Sequence, residues 1–125
     1  MTKRIITAMK NKYVTTMSHP TGRLIGEREP YEVDLEQVLK AAKDTGTFME
    51  LNSHPARLDL DDIHCRKAKE MGIMIAISTD SHSATQLENM RYGVLTARRG
   101  WLEKKDVLNA LPYLKFIKKA SQKRS

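Results

Sequence analysis

Three short segments gather imidazole, carboxylate and amide groups in spacings that suit a divalent metal ion. They are Ser18-His19-Pro20, Asn52-Ser53-His54-Pro55 and Asp80-Ser81-His82. Asp80 and His82 make the most pointed pair. Side chains two residues apart in an extended chain face the same side, so D-x-H aims a carboxylate and an imidazole at one point. That donor pair suits Zn²⁺, Mn²⁺ or Fe²⁺. The plainer alternative makes Asp80 a helix cap and His82 a loop residue. A lone His19 would read as a surface histidine, but its place after another strand gives it weight as a third ligand.

The remaining polar residues are less specific. Asn52 stands at a strand end, where it either bonds a ligand or substrate or holds a loop, and both readings stay open. His54, before Pro55, and His64, early in a helix, read as structural. Arg23 and Arg57 lie in loops beside the strand ends, and paired guanidinium donors match phosphate. Arg91 lies on the helix after D-x-H. Arg98 and Arg99 sit where a helix end would use them on its last carbonyls. Cys65 lies inside a predicted helix and reads as a core or surface thiol.

A repeated pattern of strand, turn and helix must position these groups. Tyr13 to Met17, Thr47 to Asn52 and Ile73 to Thr79 read as strands. The third is a nearly unbroken apolar run, as in a strand covered on both faces. Helices fit Asp34 to Asp44, Asp61 to Met71, Ala84 to Arg98, and Lys104 to Ala120 with a break near Pro112. Lys3 to Lys10 also reads as helical. Asp34 is a predicted N-cap with Gly46 as the stop, and Asp59 or Asp61 a cap for the next helix. Alternation of this kind predicts an α/β fold of parallel βα units, whose chemistry gathers at the strands' C-terminal ends.

The 125 residues fit one domain. An apolar share of 40% beside 30% charged residues marks an ordinary globular chain. No apolar run approaches the ~20 residues of a membrane span, and Met1 to Lys12 lacks the apolar core of a signal peptide. One cysteine excludes an intrachain disulfide and agrees with a reducing cytosol. A soluble, cytoplasmic protein is therefore expected. The net charge of +7, from 22 basic against 15 acidic residues, predicts either attraction to nucleic acid or a solvated surface with a basic tail. Residues 121–125 are expected to fray.

Taken together, the stretches Ser18-His19-Pro20-Thr21-Gly22-Arg23-Leu24, Glu50-Leu51-Asn52, Arg57-Leu58-Asp59-Leu60, Ser78-Thr79-Asp80-Ser81-His82, Met90-Arg91-Tyr92-Gly93 and Ala97-Arg98-Arg99-Gly100-Trp101 resemble a known domain. It is the C-terminal part of the PHP (polymerase and histidinol phosphatase) domain of bacterial family-X DNA polymerases. D-x-H marks the wider superfamily; HPTGR with MRYG and ARRGW is specific to the polymerase branch. The resemblance implies the C-terminal part of a distorted, TIM-like (βα)7 barrel. It implies a trinuclear site at the barrel mouth with His19, Asp80 and His82 as ligands, and Asn52 near the site but not a ligand. Mn²⁺ is the first expected ion, with Zn²⁺, Fe²⁺ or Mg²⁺ as others. The implied activity is a metal-dependent 3′-to-5′ exonuclease acting on DNA 3′ ends and abasic sites in repair.

The family's opening H-x-H motif and its mid-barrel His and Glu ligands find no counterpart in this sequence, and neither do the polymerase domains. A barrel of this kind takes ~250 residues. The expectation is therefore a fragment with little activity of its own, lacking the N-terminal half of its barrel and open to self-association. A phosphatase of a small phosphomonoester such as histidinol phosphate, or a non-catalytic DNA- or partner-binding remnant, are the other readings.

Overall fold

In the computed structural model, which describes residues 1–124, the order of elements is the alternation that the sequence predicts. Helix α1 (Thr2–Met9) precedes strand β1 (Thr16–Met17). Helix α2 (Leu35–Thr45), strand β2 (Phe48–Asn52), helix α3 (Asp62–Glu70), strand β3 (Ile75–Ser78), helix α4 (Met90–Arg99) and helix α5 (Tyr113–Ala120) follow. Both predicted caps form. The Asp34 carboxylate accepts from the Gln37 N–H and the Asp61 carboxylate from the His64 N–H, while Gly46 closes α2 in the left-handed region. Among the described residues, no helix is long and apolar enough to cross a membrane.

The boundaries that moved did so because local hydrogen bonds outcompete the ladder. Asn11 accepts the N–H of Tyr13 at its side chain and that of Val14 at its carbonyl, so both residues turn and β1 starts only at Thr16. Ile73 still bonds back to the Ala68 carbonyl at the end of α3, which delays β3 to Ile75. The helix expected over Ala84 to Arg98 divides into a 3₁₀ stretch, Ala84–Asn89, and α4. That expected over Lys104 to Ala120 divides into two 3₁₀ turns and α5, with Pro112 just ahead of the first α-helical residue.

The strands form one parallel sheet in the order β1-β2-β3. A three-stranded parallel sheet with helices between its strands is compatible with the expected parallel βα units. Met49, Leu51, Ile75 and Ile77 share one face and pack with Val38, Leu39 and Ala42 of α2 and Cys65 and Ala68 of α3. The opposite face carries Glu50, Asn52, Ala76 and Ser78, paired across the register. The strand covered on both faces is β2, buried at four successive positions, whereas the apolar β3 alternates buried with half-buried residues.

Two open strand edges are expected for a part barrel, but the outer edge of β3 is partly closed. Val107 makes a parallel bridge to Ile75. The Asn109 side chain then acts as a strand substitute. It accepts the Ile77 N–H at 3.0 Å and donates to the Ile77 carbonyl at 2.8 Å. The tail also departs from expectation. Gln122–Arg124 form a 3₁₀ turn, and the Lys123 ammonium donates to the carbonyls of Met9 and Val14 and to the Thr47 hydroxyl. Those three acceptors hold the tail against α1 and the start of β2. Ser125 lies outside the described residues.

Candidate metal centre

The polar face of the sheet gathers the candidate residues at the C-terminal ends of the strands. His19 follows β1, Asn52 ends β2, and Asp80 follows β3. His19 Nε2 lies 3.6 Å from Asp80 Oδ2. A cation with bonds of ~2.1 Å to each would bridge such a gap, so this donor pair fits one divalent ion. The two side chains are 39% and 32% exposed, which leaves the pair open to solvent and to a ligand. Both residues hold left-handed backbone angles, with φ of 47° at His19 and 54° at Asp80. Such conformations disfavour side-chain-bearing residues and concentrate at functional sites.

Asn52 is fully buried and orients the pair. Its Oδ1 accepts the His54 N–H at 2.9 Å, which fixes the amide so that Nδ2 faces the site. Nδ2 donates to Asp80 Oδ2 at 3.3 Å and stands 3.5 Å from His19 Nδ1. This geometry supports the loop-holding reading of Asn52 and places it beside both candidate ligands.

His82 is exposed, and its Nδ1 bonds the Asp80 carbonyl at 2.7 Å. A histidine that donates from Nδ1 to a carbonyl keeps its Nε2 lone pair for a ligand. The ring does not complete a trio with His19 and Asp80. Among the described residues, no group of three or more His, Cys, Asp or Glu side chains is arranged to hold a metal ion.

Arg23 and Arg57 are brought together, but on each other's backbone. Arg23 donates to the carbonyls of Arg57 at 2.7 Å and Leu58 at 2.5 Å, and Arg57 donates to the Arg23 carbonyl at 3.3 Å. Each guanidinium thus has a structural task, tying the loop after β1 to the loop after β2. His54 and His64 are structural, as their sequence positions suggest. His54 Nδ1 accepts the Ala56 N–H, and His64 Nδ1 sits 2.8 Å from the Asp61 carboxylate. That imidazole, chiefly, holds the Asp61 carboxyl below the usual carboxylate range.

Three residues of the site escaped sequence reasoning. Glu50 is 7% exposed, accepts the His19 N–H at 2.9 Å and the Ser78 hydroxyl at 2.5 Å, and lies 3.9 Å from His19 Nδ1. Its carboxylate joins the ends of all three strands. The signal was present in Met49-Glu50-Leu51-Asn52, whose alternation puts Glu50 on the face of Asn52. Asp59, fully buried, accepts the Thr21 and Gly22 N–H groups at 3.0 Å each. Tyr31 donates its hydroxyl to the His19 carbonyl at 2.5 Å. Burial, and then the Asp59 charge, push that phenol above its usual range, which keeps the donor proton in place. Nothing in local sequence links Asp59 or Tyr31 to His19.

No family model matches the chain. Individual proteins do. The chain is 51% identical over 108 residues to the DNA polymerase/3′-5′ exonuclease PolX of Bacillus subtilis, covering 86% of this chain and 19% of that protein. It is 33% identical over 114 residues to a probable phosphatase of Thermoanaerobacter sp., covering 86% of this chain and 44% of that protein. A probable phosphatase of Caldanaerobacter subterraneus is 38% identical over 87 residues, with 65% of this chain and 32% of that protein covered. The chain therefore spans about a fifth of the polymerase and under half of the phosphatases.

Proposed function

We propose, from the chain's homology with the PHP part of bacterial family-X DNA polymerases, that it forms the C-terminal part of a metal-dependent phosphoesterase site that acts on DNA 3′ ends. The carrying observation is the His19–Asp80 pair at 3.6 Å, set in a sequence 51% identical to a polymerase/3′-5′ exonuclease. His19 and Asp80 would hold a divalent ion, Mn²⁺ before Zn²⁺, Fe²⁺ or Mg²⁺, with His82 offering its Nε2 from the same loop as Asp80. Such an ion, when bound, neutralises phosphate charge and lowers the pKa of its water.

The chain's own residues do the rest. His19 presents Nε2 toward Asp80, Asn52 donates to the Asp80 carboxylate, and Glu50 fixes the His19 backbone. No side-chain nucleophile is required, because water attacks phosphorus. Arg23 and Arg57 shape the rim of the site through their mutual clasp and leave phosphate recognition to the ion and the open mouth. Further donors from outside this sequence complete the centre in the longer protein, which also provides the DNA-binding surface and DNA repair context. The isolated chain has little activity.

In the longer protein, Asp80→Ala abolishes release of nucleotides from 3′-labelled DNA with Mn²⁺, while polymerisation continues. Retained nuclease activity refutes the assignment. The alternative, a phosphatase of small phosphomonoesters, draws on the 33% identity to a probable phosphatase. Relative rates on labelled DNA and on a small aryl phosphate separate the two substrate classes.

A further inference from the structure

The left-handed backbone of His19 needs an explanation, because such a conformation is unfavourable for a residue with a side chain. It persists only where the surroundings over-determine it. Side chains remote in sequence capture both of its backbone polar groups: its N–H goes to Glu50 and its carbonyl accepts the Tyr31 hydroxyl. Thr21 and Gly22, just beyond it, are captured by Asp59. Its carboxylate accepts from Thr21 at 3.2 and 3.0 Å and from Gly22 at 3.0 Å.

Asp59 also meets the site from the other side. Its main chain pairs with that of Asn52, the Asn52 N–H to the Asp59 carbonyl at 2.6 Å and the Asp59 N–H to the Asn52 carbonyl at 3.3 Å. One fully buried residue thus spans the His19 loop and the strand end that carries Asn52. Among the described residues no lysine or arginine forms an ion pair with Asp59. A charge buried without a cation is stabilised here by backbone N–H donors, so the loop and the carboxylate depend on each other. Tyr31 seals the arrangement. Its N–H donates to the Thr21 carbonyl, and its ring covers Gly22, where an added Cβ would collide with it.

We infer that Asp59 and Tyr31 are positioning residues that hold His19 against Asp80 and Asn52. Neither touches a ligand; Tyr31 acts through the His19 carbonyl, and Asp59 through the backbone of Thr21, Gly22 and Asn52 on either side of it. The geometric part of this inference stands alone, and its consequence for metal affinity rests on the reading given under Proposed function.

Wild-type chain, Asp59→Asn, Tyr31→Phe and His19→Ala are compared by thermal melting, by the nuclear Overhauser contact between the His19 ring and the Asn52 amide, and by titration with Mn²⁺ alone. Tyr31→Phe retains the ring over Gly22 and so preserves the fold; it decides the matter if Asp59→Asn fails to fold. The expected result is a cooperative melt, loss of the His19–Asn52 contact, and a Mn²⁺ dissociation constant raised about tenfold, the usual effect of removing an outer-sphere partner. A contact that survives in Tyr31→Phe overturns the inference. If His19→Ala binds Mn²⁺ as tightly as wild type, the metal reading fails instead, and the Overhauser contact alone then decides positioning.

Discussion

A buried carboxylate at Glu50 would be costly without partners, and its partners are what draw the strand ends together. It takes an N–H from the residue after β1's loop entry and a hydroxyl from the last residue of β3. Asp61 is a different carboxylate, at a helix start rather than in the sheet. It caps α3 and bonds the His64 ring. Its folded pKa is depressed, chiefly by that ring, so the stabilisation is full above the unfolded-state value and is lost as pH falls on through the lower folded-state one. Asp61→Ala is expected to cost about 1 kcal/mol at pH 7. The difference from wild type narrows below about pH 4, where the unfolded carboxyl protonates. Urea unfolding at pH 7 and at pH 3 measures both limbs; a gap that widens in acid contradicts the assigned partner.

At the scale of elements, the sheet is held open on one side and closed on the other. The edge of β3 meets the Val107 bridge and the Asn109 amide, which satisfies both backbone groups of Ile77. Asn109→Ala removes both bonds and is expected to cost about 1–2 kcal/mol. Faster hydrogen exchange at the Ile77 amide, with the Leu51 amide unchanged, locates the loss at that edge. Packing of α4 on the sheet depends on a missing side chain. A Cβ on Gly93 would come within 2.7 Å of Ile77 Cγ2 and also meet Ser53, so MRYG reads as a close-packing motif as well as a family mark. Gly100 does the same for α4 against α3, where a Cβ would lie 2.7 Å from the Asp62 carbonyl.

Across the whole molecule, the net charge of +7 overstates the number of free cations. Arg23, Arg28 and Arg57 bond backbone carbonyls, Arg66 lies 3.6 Å from the centre of the Trp101 ring, and Lys69 pairs with Glu103 and Asp106. Lys123 is spent on three acceptors, and burial draws its ammonium below the usual lysine range. Apolar surface points the other way. Tyr113 and Leu114 on α5 are 74% and 80% exposed, and among the described residues β1 pairs with a strand along one edge only. Exposed edges and apolar faces favour association. The isolated chain is expected to elute from a sizing column earlier as its concentration rises, and a constant monomer at high concentration contradicts this.

Local pattern carried the elements and their caps. Asp34, Asp61 and Gly46 act within one turn of chain, and the burial of Val38, Leu39 and Ala42 follows a helical period. The strand ends that carry His19, Asn52 and Asp80 were legible for the same reason, since an alternating βα pattern puts them at one end of a parallel sheet. Tertiary structure alone decided which groups face one another. Glu50, Asp59 and Tyr31 reach the His19 loop across 31, 38 and 12 positions of sequence, distances over which no periodicity acts. It also decided that Arg23 and Arg57 clasp backbone rather than face outward, because a loop carbonyl without a partner is satisfied by whichever donor folding brings near.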